Sequence, residues 1–240
     1  MKILAIESSS LVASAAIVND DILVAEYTVN HKVTHSQTLL PMIDEILTMT
    51  QTDKRSIDAI AVSGGPGSYT GLRIGSATAK GLGMALDIPL IHVPTLDAMA
   101  YNAYGYAGLV CPIMDARRSQ VYTGIYELSD GKFNILLENS AITFDELMEK
   151  LDALNTSGKK VMFIGDGIPV FKDRIDEHFK GKGYELAPAS MNRQRAASVA
   201  VLGEIYYNED RTEAASEHLP DYLRLSQAER ELNEKRAANG

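Results

Sequence analysis

The sequence predicts an α/β protein, a mixed sheet with helices packed on it, built twice over in one chain. Three observations carry this. The chain opens strand, turn, strand, turn, strand; helices and strands then alternate; and beyond residue 108 much of that order begins again. A length of 240 residues suits two related units of roughly 100 residues each better than one minimal domain.

Each element has its own local reason. Lys2–Glu7 is a short apolar run ending in an acid, and Ser8-Ser9-Ser10 reads as a turn. Val12–Val18 and Ile22–Val29 are β-rich runs around Asn19-Asp20-Asp21, a hairpin signal. Thr34 followed three residues on by Gln37 matches a capping box. Leu39, Leu40, Ile43, Ile46 and Leu47 then recur at helical spacing, predicting an amphipathic helix over 36–49, with Pro41 near its tolerant first turn. Ile57–Val62 is a buried-type strand running into the densest turn signal of the chain, Ser63 to Gly71. A helix over 70–86, a strand at Pro89–Val93 and a helix from Thr95 follow. In the second half Leu109–Met114, Val121–Glu127 and Phe133–Glu138 are strand-like, with a turn at Asp130-Gly131; Thr143-Phe144-Asp145-Glu146 opens a capped helix; Val161–Ile164 is a strand ending in Gly165-Asp166-Gly167; helices lie near 170–180 and 193–208. The division falls in the aperiodic stretch 101–108, giving an N-terminal lobe over 1–103, a C-terminal lobe over 104–226 whose last helices are expected to pack back on the first, and a charged tail over 227–240, a frayed helix or disordered.

The 23 Lys and Arg stand against 32 Asp and Glu, a net charge of −9 that opposes direct nucleic-acid binding, because gripping phosphate takes clustered basic residues. With 45% hydrophobic residues the chain is not wholly disordered. The single Cys111 cannot form an internal disulfide or a thiolate zinc site and reads as a buried apolar residue in a reducing cytosol. Glu7 interrupts the apolar start, which argues against a secretory signal, and no apolar run reaches the ~18 residues a membrane helix needs, so a cytoplasmic location is expected.

The loop Gly64-Gly65-Pro66-Gly67-Ser68-Tyr69-Thr70-Gly71 lies between a strand and a helix N-terminus, where backbone N–H groups could hold an anion. It lacks the Gly-Lys-Ser/Thr of a P-loop, and a tight turn that lets the next helix pack closely serves equally well. Gly71, Gly75, Ala79 and Gly83 form a stripe of minimal side chains, a groove for the sheet beneath, for the first helix or for another protein. His31 and His35 have a zinc-hydrolase spacing, but Lys32 replaces the glutamate and the helix begins too late to carry His31, so His35 reads as a helix-start or surface residue. Glu7 could orient a nucleotide or a metal-bound water, or simply close the Ser8-Ser9-Ser10 turn. No paired carboxylates or Ser–His–Asp arrangement can be read from spacing.

Four segments together carry a resemblance: Ile3-Leu4-Ala5-Ile6-Glu7-Ser8-Ser9, His35-Ser36-Gln37-Thr38-Leu39-Leu40-Pro41, Gly64 through Gly75, and Pro220-Asp221-Tyr222-Leu223-Arg224. They resemble the bacterial TsaB (YeaZ) family over nearly the whole chain. The resemblance implies an actin-like ATPase-domain (ASKHA, ribonuclease H-like) fold of two duplicated lobes. It also implies a non-catalytic subunit in the synthesis of N6-threonylcarbamoyladenosine at position 37 of tRNAs reading ANN codons. Its partners would be the related transferase TsaD and the ATPase TsaE, with tRNA reached only through the complex, no cofactor and no metal. By resemblance the docking face, shared with a homodimer, would use His35, Leu39, Leu40, Ile43, Ile46, Leu47, Leu72, Gly75, Ala79 and Gly83. Glu7, Ser8, Ser9, Gly64, Gly65, Gly67, Gly165 and Gly167 would be relics of a nucleotide site. Where TsaD-like sequences carry His-x-Glu-x-His, this chain has Thr95 and Met99 in the imidazole positions, and Asp166 between the later glycines would repel phosphate. A metal-dependent peptidase or small-molecule kinase of the same superfold is the alternative.

Overall fold

The computed structural model describes residues 1–32, 34–128 and 131–223. The expected tail over 227–240, Arg224 of the last motif and Asp130 of the hairpin turn lie outside the described residues. The first half contains β1 (Lys2–Glu7), β2 (Val12–Asn19), β3 (Ile22–Asn30), α1 (His35–Met49), β4 (Ala59–Gly65), α2 (Tyr69–Leu86), β5 (Leu90–Pro94) and α3 (Thr95–Tyr101). The second contains β6 (Leu109–Asp115), β7 (Gln120–Glu127), β8 (Asn134–Thr143), α4 (Phe144–Leu154), β9 (Val161–Ile164), α5 (Ile168–His178), β10 (Glu185–Leu186) and α6 (Ala196–Asn208).

The two sheets have the same plan. The first runs β3-β2-β1-β4-β5, the second β8-β7-β6-β9-β10. In each, the first three strands of the half pair antiparallel as a meander, the fourth joins the central strand in parallel and the fifth pairs in parallel with the fourth. Parallel strands need crossover connections, so helices must cover the sheet faces, and both faces of β1 are accordingly apolar. Leu4 and Ile6 face α1 and α2 with Ile60 and Val62, while Ile3 and Ala5 face α6 with Ala59 and Ala61. In the second half Phe144, Leu147, Phe171 and Ile175 of α4 and α5 cover one face of the sheet. Leu96, Met99 and Ala100 of α3 pack on the other face, with Val110 and Tyr126.

Helix α6 belongs to the second half by sequence and to the first sheet by packing. Its N-terminus explains why. Arg195, its N-cap, gives no side-chain cap of its own. The first turn is capped instead from β2 and β3: Ala196 N–H donates to Ser14 Oγ at 3.1 Å, Ala197 N–H donates to Glu26 Oε1 at 3.0 Å, and Arg195 pairs with the Glu26 carboxylate.

Element bounds depart from the sequence reading in a few places. β8 extends to Thr143, because β7 pairs with it across the polar stretch Glu138-Asn139-Ser140 that has no apolar alternation. The two-residue β10 is too short to leave a pattern. The capping box at Thr34 is a correction: its side chain makes no cap bond, and the Thr34 carbonyl accepts from Gln37 N–H at 2.9 Å. Thr143 does cap α4, its Oγ1 accepting from Glu146 N–H at 3.2 Å. Thr143→Ala is therefore expected to lower stability by about 1 kcal/mol in urea denaturation, and Thr34→Ala by less than about half as much.

Candidate functional site

The glycine-rich loop and the β1–β2 turn meet the second lobe across a cleft of about 760 Å³. Ser9, Ser10, Gly67, Tyr69 and Gly71 line one side, Met114, Asp115, Arg117, Tyr122 and Asp166 the other, and Asp221 and Tyr222 close one end. The loop's composition follows from what presses on it. A Cβ at Gly67 would lie 2.3 Å from the Ser9 carbonyl oxygen, and one at Gly71 2.1 Å from that of Ser8. Gly65 has φ +125° and would meet the Asp221 carbonyl oxygen at 2.3 Å, so it needs glycine on both counts. Backbone bonds fasten the same contacts: Ser68 N–H to the Ser9 carbonyl at 2.6 Å, Asp221 N–H to the Gly64 carbonyl at 2.7 Å, and the Ser8 hydroxyl to the Gly71 carbonyl at 2.9 Å. The loop is thus a packing device. Several of its amides are engaged inside the lobe, including Gly71 N–H on the capping Ser68 Oγ at 3.3 Å.

Glu7 is buried, and its Oε1 accepts from Ser9 N–H and Ser9 Oγ–H, each at 2.6 Å. It closes the serine turn. Burial pushes its carboxyl above the ordinary range, opposed by those Ser9 bonds, by Ser63 and by the nearby His35. A carboxyl whose folded pKa is raised holds its proton better in the native state. Its contribution to stability is greatest below the unfolded value, ~4.3, and is lost as pH rises through the raised folded value. Glu7→Gln keeps both bonds and removes the titration. The stability difference between wild type and Glu7→Gln, followed by urea midpoints from pH 4 to 8, is expected to move in the variant's favour as pH rises.

In the second lobe Gly165 has φ +123°, and a Cβ there would strike the Ile113 carbonyl oxygen at 2.2 Å. Gly167 N–H donates to that same oxygen at 3.0 Å. Asp166 between them is largely buried at the cleft, and burial raises its carboxyl, with Arg193 opposing and Asp115 adding to the rise. Asp115, Asp166 and Asp221 face the same cleft as Lys32 and Arg117, a mixed lining with more acid than a phosphate site wants. The β6–β7 turn at this edge was not singled out by sequence reading. Arg117, Arg118 and Ser119 all have positive φ, 67°, 54° and 58°, in a turn where sequence offers none of the usual Gly or Asn.

The other expected residues divide cleanly. Thr95 is fully buried with its hydroxyl 2.8 Å from Ser63 Oγ, and Met99 is core between the lobes. Asp97 between them accepts from Tyr126 Oη at 2.8 Å, Asn139 Nδ2 at 3.1 Å and Tyr206 Oη at 3.4 Å, so it ties α3 to β7, β8 and α6. His31 lies outside α1, whereas His35 begins it. His35 is not a surface residue: its Nε2 lies 3.1 Å from the Val12 carbonyl oxygen, in the interior.

Most of the residues expected on the docking face point inward, Leu40 being the exposed exception. Leu39, Ile43, Ile46, Leu72, Gly75, Ala79 and Gly83 are buried in the first lobe, and Leu47 packs partly against the same core. The glycine stripe faces inward, toward strand and turn: a Cβ at Gly75 would lie 2.2 Å from Ser8 Oγ, and one at Gly83 2.9 Å from Leu90 Cδ2. The physical reason is that a two-helix layer on a sheet spends its smallest and most apolar faces on that sheet. The outer surface of the layer belongs instead to Leu40, Met49, Arg73, Ala77, Gly81, Met84 and Ala85. Buried Cys111 has its thiol pushed up to about 12 by burial. Among the described residues no helix is long and apolar enough to cross a membrane.

Two sheets of one order, with helices on both faces and a cleft between them, define a duplicated actin-like ATPase-domain (ASKHA, ribonuclease H-like) α/β fold. The family model described as TsaD, tRNA N6-adenosine threonylcarbamoyltransferase, matches residues 24–232. A tRNA threonylcarbamoyladenosine biosynthesis protein TsaB of Bacillus subtilis (strain 168) is 35% identical over 231 residues, covering 95% of this chain and 96% of the relative. The Escherichia coli (strain K12) protein of the same name is 32% identical over 235 residues, covering 97% and 98%. A Pseudomonas aeruginosa crystal structure, described as an uncharacterized protein with similarity to peptidase YEAZ, superposes with a TM-score of 0.79 at 25% identity over 93% of this chain and 99% of its own. YeaZ from Pseudomonas aeruginosa gives 0.73 at 23% identity over 92% and 99%, a likeness of fold. The chain belongs to the TsaB family, YeaZ being its other name.

Proposed function

We propose that this chain is a scaffold and activating subunit in tRNA threonylcarbamoyladenosine biosynthesis. It binds TsaD and supports transfer of the threonylcarbamoyl group to adenosine 37 of ANN-decoding tRNAs, without catalysing the transfer; TsaE joins the same assembly. The observation that carries the non-catalytic reading is the fate of the catalytic relative's metal motif. Its imidazole positions hold Thr95 and Met99, both without solvent access and both packed or bonded inside the fold. A hydroxyl engaged by Ser63 and a core thioether are poor ligands for a catalytic ion. The acidic cleft lining and the −9 net charge favour leaving phosphate and tRNA contacts to the partners.

The docking face in this reading is the outer surface of α1 and α2. Leu40, Met49 and Met84 expose 53%, 74% and 65% of their surface there, around the small residues Ala77, Gly81 and Ala85. Helices can approach closely over such residues, and a second copy of the chain would compete for the same face. The chain divides functionally at 103/104, the first lobe carrying the docking helices. The peptidase or kinase alternative is not favoured. The reading is tested by depleting the protein and analysing tRNA nucleosides, alongside a transfer assay with purified TsaD, TsaE and this chain. Loss of the modified adenosine on depletion, and activity only when the chain joins TsaD, are expected; an unchanged level of the modified nucleoside would sink the assignment.

A further inference from the structure

Away from the cleft floor, the segment after α6 returns across the first lobe and brings a second set of chemistry with it. Glu213 pairs with Leu90 in an antiparallel bridge at the edge strand β5. Lys80 Nζ donates to the carbonyls of Ser216 at 2.9 Å and His218 at 3.0 Å. Asp221 N–H is held by Gly64. Residues 213–221 therefore form a strap fastened at three points, and two of its side chains converge on His92 of β5. One ligand atom from each of His92, Glu213 and His218 lies within 4.8 Å of the other two. A further carboxylate oxygen, Asp221 Oδ2, is 3.4 Å from His92 Nε2.

These side chains are set up unusually well for a strap that only packs. His218 has no solvent exposure, and its Nδ1 lies 2.6 Å from Glu213 Oε1. A carboxylate accepting from Nδ1–H fixes the tautomer and leaves a lone pair on Nε2, the usual way a metal-binding imidazole is oriented. That Nε2 is buried and has no partner among the described residues. The His92 Nε2 is likewise buried, with no hydrogen bond of good geometry. Burial and the neighbouring His218 hold His92 below its ordinary pKa, which favours the neutral, ligating form, although Asp221 and Glu213 pull the other way; Arg211 and Lys80 are the nearby cations among the described residues that work against a metal. The ring is placed by Gly64, where any Cβ would sit 2.1 Å from His92 Cε1.

We infer that His92, His218 and Asp221 form a zinc site, with Glu213 orienting the His218 ring from behind, that clips the 213–221 strap onto the first lobe. Two imidazole nitrogens and one carboxylate oxygen suit Zn²⁺ better than Mg²⁺ or Ca²⁺, which take oxygen ligands. Three protein donors leave the fourth position to water, and because the ligands come from the strap and from β5 the role assigned to the ion is to fasten one to the other. The clip would hold Asp221 and Tyr222 at the cleft, where the Tyr222 ring packs tilted against that of Tyr69, centroids 4.8 Å apart.

The test uses the full chain, stripped with chelator and titrated with Zn²⁺ by calorimetry, and with Co²⁺ for its visible absorption. One equivalent of Zn²⁺ and Co²⁺ bands of tetrahedral intensity at roughly 500–650 nm are expected. Affinity should fall at least ~10-fold in His92→Gln and in the exposed Asp221→Asn, and stay unchanged in His178→Gln, a histidine in the other lobe. Zn²⁺ should also slow proteolysis between residues 209 and 223 in wild type only. Equal affinity in wild type and both site variants, or no stoichiometric binding, would overturn the site. Peptide hydrolysis by the zinc-loaded chain, absent in His92→Gln, would overturn its structural role. None of these readouts depends on TsaD or tRNA.

Discussion

Gly75→Leu is expected to unfold the first lobe more readily, by about 3 kcal/mol, a fall of roughly 6–12 °C in melting temperature for a chain of this size. The new Cβ alone would sit 2.2 Å from Ser8 Oγ, with Ile6 Cγ2 at 3.8 Å behind it. Relief requires α2 to lift from β1 or Ser8 to abandon its bond to the Gly71 carbonyl. The leucine gains ~0.5–1 kcal/mol of helix propensity over glycine, too little to offset that clash. Gly81→Leu is the matched control on the same helix: nothing lies within 4 Å of its Cβ, so only the propensity gain remains. Thermal and urea unfolding of the two variants decide the point. Equal midpoints would mean that α2 does not sit on the strand as described.

Gly81→Arg is expected to weaken TsaD binding at least ~100-fold while leaving the isolated chain as stable as wild type. On the free protein the arginine projects from an open helix face. In a close helix–helix contact it would hold the helices apart and bury an unpaired charge; ~2.7 kcal/mol of such cost is the 100-fold loss. Ala77→Arg, one turn earlier on the same exposed face, should behave alike, and Glu149→Arg on α4 of the other lobe should bind normally. Titration of TsaD by calorimetry, with the self-association of each variant measured by sedimentation, reads both effects. Normal TsaD affinity in Gly81→Arg would remove α1 and α2 from the interface.

The contrast between Gly75 and Gly81 also marks what can be read along a chain. Spacing located the helix over 70–86 and the stripe of small residues within one turn of the observed α2, because a 3.6-residue period survives in any helix half-buried on a sheet. It could not say which side the stripe faced. An inward stripe and an outward one look alike until β1 and its serine turn are placed beneath. The same holds for His35: its place at a helix start was legible, but its burial against Val12 is set by how β2 packs on α1.

By itself the sequence determined the order of elements in both halves, the duplicated α/β plan and the family. All of these depend on residues close in the chain: local periodicity, turn chemistry or a contiguous motif. Only the tertiary structure decided that the first turn of α6 is capped from β2 and β3, that Asp97 ties the lobes together, and that His92 meets Glu213 and His218. Those contacts join residues separated by as many as 182 positions. They arise because the first sheet has two apolar faces to bury and its own half supplies too few helices to cover both, so the chain's last ordered segment must come back across it.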